Sequence, residues 1–89
     1  MTGTVSRVLV VDDESDIREL LTITVGRMGL VSLEAGTVAQ AKSALRDNTV
    51  DLCLTDMRLP DGNGIELVKF IHTEFSHVPV AVITAHGNV

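Results

Sequence analysis

The 89 residues contain a single cysteine, Cys53, only two lysines, Lys42 and Lys69, and no long uninterrupted apolar run. One cysteine excludes an intramolecular disulfide framework and fits a reducing compartment. Stretches such as Val8–Val11 and Val78–Ile83 fall far short of the ~20 apolar residues that a membrane-spanning helix requires. The chain does not open with a basic segment, an apolar run and a small-residue cleavage site. Basic residues are scarce: seven Lys/Arg stand against twelve Asp/Glu, for a formal net charge of −5. A binder of nucleic-acid backbone needs clustered Lys and Arg, so no direct nucleic-acid contact is expected. There is no internal repeat, low-complexity segment or linker. What is present is 45% apolar residues in a short chain, which reads as one small cytoplasmic domain over residues 1–89.

Short apolar runs alternate with amphipathic stretches, the pattern of parallel βαβ units. Val8-Leu9-Val10-Val11 is a short β-branched run, as expected for a strand covered on both faces. Ile17, Leu20, Leu21, Thr24 and Met28 then paint one stripe on a helix that Gly29 ends. A second strand, Leu30–Ala35, leads to Thr37-Val38-Ala39-Gln40, a capping box before a helix with Val38, Ala41 and Leu45 on one face. Leu52-Cys53-Leu54 is the third strand. Leu59–Gly64 is dense in turn residues, and Asn63 with Glu66 caps a third helix whose stripe is Ile65, Val68, Ile71 and Phe75. Pro79–Ala85 is a fourth strand. The order β-α-β-α-β-α-β, with right-handed crossovers, predicts an α/β fold with a doubly wound parallel sheet, which binds ligands outside the carboxyl ends of its strands.

At those ends stand Asp12 and Asp13 after the first strand, Asp56 after the third and Thr84 in the fourth. Carboxylates brought together raise one another's cost of ionising unless a cation sits between them. A hard divalent ion with oxygen ligands, Mg²⁺ above all, resolves this, and it commonly takes one or two carboxylates plus a phosphate oxygen. The site therefore points to phosphate chemistry. A carboxylate can accept a phosphoryl group, so Asp56 is the candidate nucleophile, the Asp12/Asp13 pair the candidate metal holder, and Thr84 a candidate donor to transition-state charge.

Each residue also has a plain reading. A strand-end acid is most often a turn former or a helix cap. Thr84 alone is an ordinary strand residue, Cys53 a small core residue, and His86 a loop residue near the site. His72 and His77 are five apart, off the i, i+4 spacing that places two ligands on one helix face. A phosphatase with an Asp nucleophile needs a second Asp two residues on, and here that position is Arg58.

Val11-Asp12-Asp13-Glu14, Leu54-Thr55-Asp56-Met57-Arg58-Leu59-Pro60 with Gly64 eight residues after the acid, and Ile83-Thr84-Ala85 together resemble the receiver domains of two-component response regulators. Ile17-Arg18-Glu19-Leu20-Leu21, Arg27-Met28 and Asp51–Gly62 resemble NtrC-type regulators of type IV pilus genes. The resemblance implies a flavodoxin-like sheet in the order 2-1-3-4. It implies that Asp56 accepts a phosphoryl group from a sensor histidine kinase. It further implies Mg²⁺ on Asp13, Asp56 and the backbone carbonyl of Arg58, with Asp12 acting through a water. Thr84 is then the switch residue that holds the phosphoryl group, and the output is transcriptional, carried by other domains.

The family has five βα units, in the order 2-1-3-4-5, with a Lys at the end of the fifth strand. Lys42 and Lys69 both fall in predicted helices, so neither matches it. Residues 1–89 then correspond to the N-terminal portion of a receiver, lacking the last helix-strand-helix. Two expectations follow: self-association through an exposed fourth-strand edge, and, as an alternative to phosphoryl transfer, action as a protein-interaction module alone.

Overall fold

In the computed structural model, which describes residues 6–83, the elements run β1 (Arg7–Val11), α1 (Ser15–Arg27), β2 (Val31–Ala35), α2 (Val38–Asp47), β3 (Leu52–Asp56), β4 (Arg58–Leu59), β5 (Gly62–Asn63), α3 (Gly64–Glu74) and β6 (Val80–Ile83). The main sheet has the order β2-β1-β3-β6, and its pairs are all parallel. This is the doubly wound 2-1-3-4 sheet expected from the alternation. The short antiparallel ribbon of β4 and β5 was expected only as a turn-rich loop.

The sheet separates two apolar layers because successive strand residues point to opposite faces. Leu9, Val11 and Cys53 join Val38, Ala41 and Leu45 of α2 and Leu67 and Ile71 of α3 in the larger core. Val8 and Val10 join Val25 of α1, with Leu21, Leu52 and Leu54 packed alongside. Complete burial of one such aliphatic side chain is worth about 1.5–3 kcal/mol. Across the α2/α3 boundary the Phe70 ring lies 5.9 Å from Phe75 and receives Lys42 Nζ at 5.0 Å and Arg46 at 5.6 Å. Lys42 therefore lies at the helix-helix contact.

Two helical stripes differ from expectation in their rotation. On α1, Leu21 meets the sheet as expected, but Leu20 is 61% and Met28 68% exposed, and Val25, one turn after Leu21, is the buried residue. A single helix on a sheet face buries a narrow arc, and Met28 already lies at the C-cap, past the last helical residue. On α3, Ile71 is buried and Phe75 packs on the core as expected, but Ile65 is 45% exposed, and Gly64 and Leu67 take the inward side of the first turns. The cause is Gly64. A Cβ there would meet the Asp56 carbonyl oxygen at 2.5 Å and Met57 Cα at 3.2 Å. The bare face of the first turn must therefore point at the end of β3, which turns Ile65 outward.

The helix ends follow the expected chemistry. Gly29 adopts a φ of +80°, the left-handed conformation that glycine enters without steric cost. The Asn63 side chain accepts from Glu66 N–H at 2.8 Å, and the Thr37 hydroxyl from Gln40 N–H at 3.0 Å. The capping box is altered in its second half. Gln40 Oε1 accepts from Gly36 N–H at 2.8 Å, one residue before the cap.

Candidate functional site

β1 and β3 are adjacent and parallel, with Val11 opposite Thr55, so the residues that follow each strand emerge side by side. Asp12, Asp13 and Asp56 each bring a carboxylate oxygen into a group whose atoms all lie within 4.8 Å of one another. Asp12 and Asp56 are buried and Asp13 is exposed, so the cluster has one side toward solvent.

The backbone beneath it is held closely. Asp12 N–H donates to the Ala35 carbonyl at 3.0 Å, which extends the β1–β2 ladder by one residue. Glu14 N–H donates to Asp12 Oδ1 at 2.9 Å, the local turn that Asp side chains favour. Arg18 Nη1 donates to the Asp12 carbonyl at 2.8 Å, and its Nε pairs with Glu34 at 3.1 Å. On the β3 side, Met57 N–H donates to Asp56 Oδ1 at 2.8 Å and the Thr55 hydroxyl to the Asp56 carbonyl at 3.0 Å. Gly64 N–H closes the loop onto the Met57 carbonyl at 2.7 Å.

Of the residues singled out from sequence, the fold thus gathers Asp12, Asp13 and Asp56. Arg58 follows two residues later in β4, opposite Asn63, with its side chain exposed. Thr84 and His86 lie outside the described residues. His72 and His77 are exposed, and Cys53 is buried in the core. Burial pushes the Cys53 thiol up to about 12, so it is no nucleophile near neutral pH. Lys42 and Lys69 lie in α2 and α3, as expected.

Two contacts around the cluster were not anticipated. Arg18 stands in the first half of α1, and nothing local announces a bond to a residue six positions earlier. Asp61, in the tight turn between β4 and β5, accepts from Val38 N–H at 2.7 Å and Ala39 N–H at 3.0 Å. Those donors at the start of α2, Val38 first, hold its carboxyl below the usual carboxylate range. The Pro60-Asp61-Gly62 signature reveals a turn but not its partner 23 residues away.

The donor set of the cluster is oxygen only, drawn from three carboxylates at the ends of two adjacent strands. That composition fits a hard divalent cation such as Mg²⁺ and is poorly matched to soft metals.

Comparison with known proteins gives one consistent result. Residues 8–89 match the family model described as response regulator receiver domain. Over 83 residues the chain is 53% identical to the response regulator protein PilR of Pseudomonas aeruginosa, covering 93% of this chain and 19% of that protein. It is 34% identical over 82 residues to the DNA-binding transcriptional regulator NtrC of Proteus hauseri, covering 92% of this chain and 17% of that one. Among solved structures, the response regulator TrrA of Thermotoga maritima in complex with Mg²⁺-BeF matches with a TM-score of 0.87 at 29% identity, over 92% of this chain and 71% of that one. A complex of TrrA with the histidine kinase ThkA matches with a TM-score of 0.85 at 29% identity, over 93% and 72%. The chain thus spans under a fifth of the length of these two sequence relatives.

Proposed function

The chain belongs to the response regulator receiver domain family, and from that premise we propose that it is the N-terminal portion of a receiver that accepts a phosphoryl group on Asp56. Receiver domains are the signalling switches of two-component systems. The observation that carries this reading is the meeting of three carboxylate oxygens within 4.8 Å at two adjacent strand ends.

In this reading a sensor histidine kinase is the donor. An Asp56 carboxylate oxygen bonds to phosphorus as the N–P bond of the kinase phosphohistidine breaks, which leaves the imidazole and an acyl phosphate. Asp13, Asp56 and the carbonyl of Arg58 are the residues that would hold Mg²⁺, with Asp12 acting through a water. The bound ion supplies charge neutralisation at the phosphoryl oxygens. Met57 N–H, already on Asp56 Oδ1, holds the acceptor carboxylate in one orientation. Thr84 is assigned the hydrogen bond to the phosphoryl group and the reorientation that signals to a transcription-regulating output elsewhere in the protein. Support for kinase and metal comes from neighbours: TrrA is described with Mg²⁺-BeF and with a histidine kinase. A cytoplasmic location accords with both the donor and a reduced Cys53. Among the described residues, no helix is long and apolar enough to cross a membrane.

The test is acyl-phosphate formation by the full-length protein with its kinase or a small phosphodonor. Labelling that requires Mg²⁺ and disappears in Asp56→Asn is expected; undiminished labelling of that variant overturns the assignment of Asp56.

A second reading is a receiver that acts only through protein contacts. Titration with Mg²⁺ and beryllofluoride separates the two, since binding supports the phosphoacceptor and its absence the interaction module. Self-association through β6 is proposed for the 89-residue chain by itself, since a fifth strand in the family order 2-1-3-4-5 would cover that edge. Among the described residues β6 pairs only with β3, leaving a strand edge of the kind that templates pairing. Light scattering that shows only monomer at high concentration excludes it.

A further inference from the structure

The guanidinium of Arg18 joins three elements at the acidic turn: it extends from α1, donates to the Asp12 carbonyl at 2.8 Å and pairs with Glu34 of β2 at 3.1 Å. It also packs on Gly36, where an added Cβ would lie 3.4 Å from Nη1. An exposed ion pair contributes little by itself, about 0–1 kcal/mol, and Glu34 is exposed. The bond to Asp12 differs in kind because it fixes a carbonyl in the peptide that links Asp12 to Asp13. Both side chains leave the backbone on either side of that peptide.

Two physical effects of Arg18 oppose each other here. A positive charge at the acidic turn lowers the attraction of nearby carboxylates for a cation. A donor that orients the backbone carrying the ligands raises cation affinity, as groups outside the ligand shell of metal sites generally do. Asp12 N–H and Oδ1 are already held by Ala35 and Glu14, and Arg18 adds the restraint at its carbonyl. Resting on the Mg²⁺ site proposed above, we infer that Arg18 is a positioning residue whose orienting effect outweighs its charge, so that removing this cation weakens the binding of another.

The experiment is calorimetric titration of Mg²⁺ into the intact protein, wild type against Arg18→Met and Arg18→Lys, with thermal melts in EDTA recording stability separately. Arg18→Met is expected to raise the Mg²⁺ Kd on the order of tenfold, and Arg18→Lys by less, since an ammonium keeps the charge without spanning Asp12 and Glu34 together. An unchanged or lower Kd in Arg18→Met overturns the inference. If Arg18→Met does not fold, Arg18→Lys decides: charge alone predicts no change, and no change overturns the inference. Wild-type protein that binds no Mg²⁺ removes the proposed site and this inference with it, whereas wild-type binding with unaffected variants removes the inference alone.

Discussion

Asp61 and Val38 are joined by a 2.7 Å hydrogen bond from the Val38 N–H to the Asp61 carboxylate, across 23 residues of chain. With the companion bond from Ala39 N–H at 3.0 Å, the turn between β4 and β5 serves as a cap for the neighbouring helix. The first N–H groups of a helix have no partner within it. Here Thr37 takes the donor of Gln40, and Asp61 takes the two before it. The segment after Asp56 is consequently tied at three points: Met57 to Asp56, Gly64 to Met57, and Asp61 to α2.

Asp61→Ala is expected to lower the melting temperature at neutral pH, and the loss should be pH-dependent. The folded pKa of Asp61 lies below its ordinary value because Val38 and Ala39 N–H groups favour the carboxylate. Its contribution is therefore complete above the unfolded pKa and disappears as pH falls through the lower folded one. Melts of wild type and variant should converge in acid. A gap that is the same at every pH contradicts the capping role.

Gly64→Ala should destabilise the fold by about 1–3 kcal/mol, the usual cost of forcing a methyl group into filled space. The obstacle is backbone, the Asp56 carbonyl at 2.5 Å, so no side-chain rotation relieves it. Denaturant unfolding measures the loss. The same variant should also perturb the Asp56 amide signal, since the clash falls on that residue.

Leu67→Ala is expected to cost about 2–5 kcal/mol, as large-to-small changes in a core do, because Leu67 is fully buried. Ile65→Ala, two residues away on the exposed side, should stay within about 0.5 kcal/mol. Equal losses at the two positions would place the inward face of α3 elsewhere.

Cys53 should resist alkylation in the folded protein and react only when the chain unfolds, so its modification rate reports global opening. The thiol is raised from 9.0 to about 12 by burial, and the sign of the linkage follows. The contribution of the neutral thiol is complete below pH 9.0 and is lost as pH rises toward about 12. Cys53→Ala should flatten that alkaline decline, and an unaltered decline would assign it to another group.

The order of the main-sheet strands and helices and the acids at the strand ends were legible in the chain, because each is written in local pattern; the β4–β5 ribbon was not. Val8–Val11 and Leu52–Leu54 are short apolar runs followed within two residues by Asp, and parallel strands carry whatever follows them to one edge of the sheet. Helix rotation was not legible to the same degree. Ile65 and Leu67 are both apolar and two positions apart, so the periodic signal admits either face. The choice was made by Gly64 against the Asp56 carbonyl, a contact that exists only once strand and helix have met. The bonds of Asp61 to α2 and of Arg18 to the Asp12 carbonyl belong to the same class. Each side chain looks locally like a turn residue or a surface charge, and each finds its partner only when the sheet brings separate segments together. Sequence alone determined which residues could make an acidic pocket; tertiary structure decided how that pocket is braced, because bracing is a matter of distance between elements.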